Sequence, residues 1–219
     1  MKERTSITID SDIKTGIEKL AKGEGLSVEG IYQMDATKRT RHTNAYLSGL
    51  GRAKRIVLFD SLIQSHSHEE ILAILAHEIG HLKKNHIKKQ LAIVSFASLF
   101  LFYLASKLLI WDVMYASFGF SKMPQYVGLF LVSVLWGPLS FFLSPIGMAI
   151  SRRFEREADC YSTGVLKTAK PLSMALKKMA KENLSNLTPH PIYVRFNYSH
   201  PPLLERVEYL DKSDLHEKP

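Results

Sequence analysis

The sequence predicts a mostly α-helical protein with a small β-sheet, an α+β class, and a hairpin of two membrane-spanning helices. Two long stretches are almost wholly apolar: residues 91–110 contain a single charge and residues 127–150 contain none. Helical periodicity dominates the rest of the chain. Three short extended segments lie together before residue 60, which predicts the sheet.

The first part of the chain, residues 1–90, is expected to form a helix, the small sheet and a second helix. Ser11–Lys22 has helical periodicity and is followed by two glycines that end it. The extended segments are Gly30–Asp35, Thr43–Ser48 and Arg55–Phe59. Ser65 or Ser67 then caps a helix that carries the most informative motif in the sequence.

This motif is the pentapeptide His77–His81, which matches the HExxH pattern of zinc peptidases. Two histidines four residues apart lie on one face of a helix, so both imidazoles can reach the same metal ion. Glu78 is offset around the helix, where its carboxylate can act as a general base on a metal-bound water. Gly80 lowers helix stability, and such a glycine often marks close packing. The pattern alone also fits two surface histidines on an amphipathic helix, so it requires a third ligand.

The second part, residues 91–150, contains both apolar stretches. Each can cross a hydrocarbon core of about 30 Å at about 1.5 Å per residue; the alternative is a pair of buried core helices. Basic residues flank the outer ends of the hairpin: Lys83, Lys84, Lys88, Lys89, Arg152, Arg153 and Arg156. The positive-inside rule therefore predicts an integral membrane protein with the motif-bearing part on the cytoplasmic side and the lipid bilayer as a partner.

The net charge of +8 is mostly explained by these flanking lysines and arginines. No nucleic-acid partner is expected, because no nucleic-acid-binding motif accompanies the charge. Cys160 is the only cysteine, so no intrachain disulfide can form, which suits a reducing compartment.

The third part, residues 151–219, offers candidates for the third metal ligand. A catalytic zinc site needs three protein ligands and one open position. Glu155, Glu157 and Asp159 lie on a predicted helix, Ser151–Lys167. Glu155 and Asp159 share a face, so one can bind metal while the other orients a ligand histidine; Glu157 faces elsewhere. The alternative is a solvated charged face.

The remaining segments are predicted as a helix at Lys170–Leu184, an ordered loop at Asn186–Pro202, a helix at Leu203–Leu210 and a frayed tail from Asp211.

The motif, the two apolar stretches and the segment Ser151–Asp159, in this order, resemble the type I CAAX prenyl proteases, which are membrane-embedded zinc metalloendopeptidases. Further matches at Asn44–Tyr46, Lys54–Asp60 and Tyr198–Arg206 extend the resemblance over most of the chain. The resemblance implies a gluzincin-like zinc-peptidase core with one Zn²⁺ per chain. It also implies a peptide or membrane-protein substrate, which in this family can be prenylated.

The resemblance also implies roles for individual residues. The implied zinc ligands are His77, His81 and Glu155, with Glu78 as the base and Asp159 as a supporting acid. His200 and Arg206 fall near the catalytic cleft, where they would stabilise the oxyanion or hold the substrate's C-terminal carboxylate. Asn44 and Ala45 fall on an edge strand that can pair with an extended substrate backbone. For these last four residues, structural roles in the loop and the sheet are the alternative.

Two departures from the family pattern bear on function. The family enzymes are about twice as long, with further membrane helices, so the chain is expected to be a fragment or a reduced homologue. Arg156 and Glu157 also replace the aromatic-plus-amide pair that is usual after the glutamate ligand. The predicted function is a zinc-dependent membrane endopeptidase; the alternatives are an HtpX-like membrane quality-control protease and an inactive metal-binding module.

His86, about 140° around a continuous helix from His81, is expected to support the site or the fold and not to bind metal.

Overall fold

The computed structural model describes residues 9–38, 43–49 and 53–216. Within these ranges the chain forms nine helices and one three-stranded sheet, which confirms the α+β class. The strands are β1 (Ser27–Met34), β2 (Ala45–Ser48) and β3 (Ala53–Phe59). The helices are α1 (Ser11–Gly23), α2 (Asp60–Ser65), α3 (His68–Lys83), α4 (His86–Leu108), α5 (Asp112–Ser117), α6 (Gln125–Leu166), α7 (Lys170–Glu182), α8 (Pro191–Asn197) and α9 (Leu203–His216).

The sheet has the strand order β1-β3-β2, with β3 parallel to β1 and antiparallel to β2. Among the described strands, β2 therefore lies at one edge. Ile56 and Leu58 of the central strand are fully buried, and they join one apolar core with residues from α1 and α3. This core fixes the sheet against α3, the helix that carries the HExxH motif.

Helix α3 begins with a capping box. The Ser67 side chain accepts a hydrogen bond from the Glu70 backbone N–H, and the Glu70 carboxylate accepts one from the Ser67 N–H. Ser67 is thus the cap, whereas the Ser65 hydroxyl donates to the carbonyl of Ser61. The Glu70 carboxylate is nearly inaccessible and pairs with Lys178 of α7 at 2.7 Å. The cap therefore fixes the start of α3 and also ties it to α7.

Among the described residues, α4 and α6 are the two helices long and apolar enough to cross a membrane. Their most apolar windows are 0% and 11% buried, respectively, which differs from the burial of core helices in a soluble protein. Helix α6 also continues through Pro138 and Pro145 to Leu166. The predicted second membrane span and the predicted third-ligand helix are therefore one helix.

Two predictions for the C-terminal part were wrong. The expected loop at Asn186–Pro202 contains helix α8, capped by the His190 side chain, and Arg152 of α6 donates hydrogen bonds to two carbonyls in and after α8 at 3.2 and 2.8 Å. The expected frayed tail from Asp211 is instead helical to His216. Asp211 is held there by Ser173 at 2.6 Å and by Lys177 at 3.0 Å, so α9 is bound to α7.

Candidate active site

The site lies where α3 crosses α6, and Gly80 permits the close approach. A Cβ atom at Gly80 would lie 3.0 Å from the Cβ of Tyr161 and 3.1 Å from the Cα of Ala158. The expectation that this glycine marks close packing is thus met. The contact brings the two motif histidines of α3 opposite Glu155 and Asp159 of α6.

The side chains of His77, His81 and Glu155 converge on one point. One potential ligand atom from each lies within 4.8 Å of the others. Their closest approaches are 3.5 Å from His77 Nε2 to Glu155 Oε2, 3.3 Å from His81 Nε2 to Glu155 Oε1, and 3.1 Å between the two Nε2 atoms. Two imidazole nitrogens and one carboxylate oxygen form a donor set that catalytic zinc takes. The residues present therefore fit the metal that the resemblance implies.

Asp159 positions His77 through its Nδ1 atom, and Arg206 in turn holds Asp159. His77 Nδ1 lies 2.8 Å from Asp159 Oδ1, which leaves Nε2 facing Glu155. Arg206 donates two hydrogen bonds to the same carboxylate, from Nε at 2.8 Å and from Nη2 at 2.6 Å. Such bidentate pairing fixes both charge and geometry. Asp159 is 1% exposed, so the carboxylate that joins His77 to Arg206 is buried.

The network sets the charge states in the metal-free protein. Burial alone would lower the pKa of His77, but hydrogen bonds with Asp159 and Glu155 raise it to about 9. Burial would raise the pKa of the Asp159 carboxyl, but its bonds with His77 and Arg206 lower it below its usual value. Burial would also raise the pKa of the Glu155 carboxyl, but the imidazoles of His77 and His81 hold it well below the usual range. Two anions and a protonated imidazole thus form a site from which a cation can displace a proton.

Glu78 lines the same cavity as the three potential ligands. This cavity has a volume of about 540 Å³, and the side chains of His200, Arg206, Asn44 and Ala45 also line it. Burial raises the pKa of Glu78 above its ordinary value. A carboxylate whose pKa is raised toward neutrality is better suited to accept and return a proton.

The four residues with implied substrate roles differ in which of their polar atoms already have a partner. His200 Nε2 lies 3.3 Å from Glu155 Oε1. Arg206 has two guanidinium nitrogens bonded to Asp159, while its Nη1 lies 3.6 Å from Glu155 Oε2. Asn44 is exposed at the start of edge strand β2, and its side-chain oxygen accepts a hydrogen bond from the Ala45 N–H at 2.8 Å. A substrate backbone pairing with Ala45 would replace this local bond.

The position of His86 relative to His81 could not be predicted from the angle between residues on one continuous helix. Helix α3 ends at Lys83, and Asn85 takes the left-handed conformation at φ 55°, so α4 starts in a new direction at His86. The angle of about 140° assumed one continuous helix and does not apply. His86 is 3% exposed, and its Nδ1 lies 3.0 Å from Nδ1 of His81. Its other nitrogen, Nε2, lies 3.2 Å from the carboxylate of Glu157.

The geometry defines a class of site, in which an HExxH helix supplies two histidines and a second helix supplies a glutamate, as in zinc peptidases. The chain belongs to peptidase family M48, whose profile matches residues 9–214. It is similar to the CAAX prenyl protease 1 homolog of Arabidopsis thaliana, with 37% identity over 94% of this chain and 48% of the plant protein. It is also similar to CAAX prenyl protease 1 of Saccharomyces cerevisiae, with 36% identity over 92% of this chain and 48% of the yeast protein.

Among solved structures, the crystal structure of S. mikatae Ste24p superimposes with a TM-score of 0.82 at 35% identity. The match covers 94% of this chain and 51% of that protein. The family resemblance seen in the motifs is therefore confirmed. The chain spans about half the length of the relatives that it matches.

Proposed function

We propose that this protein is a zinc-dependent membrane endopeptidase that acts on peptide bonds near the C-terminus of prenylated proteins. The observation that carries the proposal is the convergence of His77, His81 and Glu155 beside Glu78 in one cavity. The names of the similar proteases support the substrate class, and they favour it over a general quality-control role.

The proposed chemistry assigns a separate task to each group. Zinc bound by His77, His81 and Glu155 would lower the pKa of its water and polarise the scissile carbonyl. Glu78 takes the proton of the attacking water and delivers it to the leaving amine. His200 lies beside Glu155 on the cavity wall, where its imidazole can donate to the oxyanion. Arg206 acts mainly by holding Asp159, since two of its nitrogens are already bonded there.

The proposed substrate lies along β2. The outer edge of this strand, which pairs with no other described strand, borders the cavity at Asn44 and Ala45, so an extended peptide can add to the sheet there. The apolar faces of α4 and α6 are proposed to lie in the bilayer, with the basic residues at their outer ends on the cytoplasmic side.

The decisive variant is Glu78→Gln in the full chain, reconstituted in lipid nanodiscs. It should keep one bound zinc per chain and lose peptide hydrolysis by roughly 10² to 10⁴-fold, the usual contribution of a general base. Glu69→Gln, an exposed position on the same helix, is the matched control and should leave both properties unchanged. Full activity in Glu78→Gln would refute the assignment of the base.

Substrate class is tested with matched peptides that do or do not end in a prenylated cysteine segment. Faster cleavage of the prenylated peptides supports the proposal. Equal cleavage of both sets would favour a general membrane protease. Bound zinc with no turnover on any peptide would instead indicate a metal-binding module without activity.

A further inference from the structure

A series of three side chains, His81, His86 and Glu157, leads away from the candidate metal site. His81 Nδ1 lies 3.0 Å from His86 Nδ1, and His86 Nε2 lies 3.2 Å from Glu157 Oε2. His81 has its other nitrogen, Nε2, 3.3 Å from Glu155. Each nitrogen of both imidazoles therefore has a distinct neighbour.

The fold holds this chain of contacts in place. The left-handed turn at Asn85 directs His86 back toward α3, although His86 is only five residues after His81. The His86 ring stacks on Phe154 with the ring centroids 4.3 Å apart and the planes 10° apart. Glu157 is held by Arg153 at 3.0 Å and lies 3.9 Å from Lys89. A buried imidazole clamped between an aromatic ring and a positioned carboxylate has little freedom to rotate.

The contacts also fix where the hydrogens lie. With His81 Nε2 facing Glu155 as the atom that would bind the metal, the ring hydrogen would be on Nδ1 and would donate to His86 Nδ1. A neutral His86 that accepts at Nδ1 carries its own hydrogen on Nε2 and donates it to Glu157. An ionised carboxylate accepts hydrogen bonds but cannot donate them. Glu157 therefore ends this series of hydrogen bonds, and each donor in the series points toward it. Both ligand histidines would then be oriented by a carboxylate, directly from Asp159 for His77 and through His86 for His81.

We propose that His86 and Glu157 are positioning residues that hold His81 in its metal-binding tautomer and orientation. This proposal rests on the proposed zinc site. Groups that orient a ligand histidine typically change metal affinity or activity by 10 to 100-fold when removed. Glu157 ends these contacts on a carboxylate that Arg153 also holds, at 3.0 Å.

The test measures zinc affinity by chelator competition in the full chain, together with the visible spectrum of the Co²⁺-loaded protein. His86→Phe keeps the aromatic stacking on Phe154 and removes both hydrogen bonds, and Glu157→Ala removes the terminal acceptor. Each should weaken zinc binding by roughly 10 to 100-fold and change the Co²⁺ spectrum. His86→Gln, which can still accept and donate, should recover part of the loss, and Glu157→Gln should lose less affinity than Glu157→Ala.

Glu29→Gln is the matched control, because Glu29 is an exposed glutamate that pairs with Arg55 away from the site. It should leave zinc affinity and the Co²⁺ spectrum unchanged. Zinc affinity within twofold of wild type in both His86→Phe and Glu157→Ala would overturn the proposal while leaving the zinc site intact. A wild-type chain that binds no zinc would overturn the proposed function itself, and His77→Ala distinguishes specific from incidental binding. Thermal unfolding without metal separates a folding defect from a loss of zinc affinity. His86→Gln should unfold at the same temperature as wild type. It should also bind zinc more tightly than His86→Phe.

Discussion

Replacing Gly80 with alanine should separate α3 from α6 and so disturb the metal site without touching any ligand. The added Cβ would lie 3.0 to 3.2 Å from Tyr161 and from backbone atoms of Ala158, whereas ordinary contact begins at about 3.4 Å. Because the α6 backbone itself is in the way, a side-chain rotation cannot relieve the contact. The helices must move apart by a few tenths of an ångström, at the level of the turn that joins His77 to His81.

The magnitude follows from two opposing effects. Alanine stabilises a helix interior by about 1 kcal/mol relative to glycine. Overpacking a close contact typically costs about 1 to 3 kcal/mol. Gly164, on α6, has no neighbouring atom within 4 Å of the position that a Cβ would take, so Gly164→Ala carries the same helix gain without the crowding. The difference in unfolding free energy between the two variants therefore isolates the crowding and should be about 1 to 3 kcal/mol.

The assays are thermal unfolding in detergent and zinc affinity by chelator competition. Gly80→Ala should unfold at a lower temperature than Gly164→Ala and bind zinc more weakly than wild type, because the distances from Glu155 to both histidines increase. If Gly80→Ala matches Gly164→Ala in stability and wild type in zinc affinity, the inference that this contact sets the site geometry is wrong.

Two further predictions concern the buried network. Asp159→Ala should destabilise the protein by about 3 kcal/mol, the lower end of the range for breaking a buried ion pair, because it removes both hydrogen bonds of Arg206 and leaves its charge with the weaker Glu155 contact at 3.6 Å. Denaturant unfolding measures this, and Glu29→Ala, which breaks an exposed pair with Arg55, should cost far less. In zinc-free protein, the pKa of His77 is about 9 against an ordinary value of 6.5, so its stabilising charge is complete below pH 6.5 and is lost as the pH rises toward 9. The melting temperature measured with chelator should fall across this pH interval, and its dependence on pH should be weaker in His77→Asn. A wild-type melting temperature that stays constant with pH would contradict the proposed pairing with Asp159 and Glu155.

The sequence was sufficient where a regular pattern and local chemistry agree. The helical spacing of His77 and His81 and the long uncharged stretches predicted the helices that bear the motif and the apolar windows. The shared face of Glu155 and Asp159 likewise predicted that one α6 surface would meet the histidines. These features depend on one periodicity at a time, so they can be read from the chain alone.

The remaining features depend on contacts between distant segments. The break at Asn85 interrupts a run of residues with good helical character, and asparagine adopts the left-handed conformation easily enough to allow it. Helix α8 is too short to be stable alone, and it is held by hydrogen bonds from Arg152 on α6. Its position, and that of His86 beside His81, could not be predicted because neither follows from local sequence.

The continuity of α6 links the site to the proposed bilayer. The apolar stretch ends at Ile150, and Glu155 follows five residues later on the same helix, which is a rise of about 7.5 Å. On α4, His86 precedes the start of the other apolar stretch at Leu91 by the same number of residues. Both helices therefore place their site residues at a similar height above the apolar segments. Under the proposed topology, the cavity opens at the level of the lipid headgroups, where the peptide portion of a substrate can enter while an attached lipid chain stays in the hydrocarbon core.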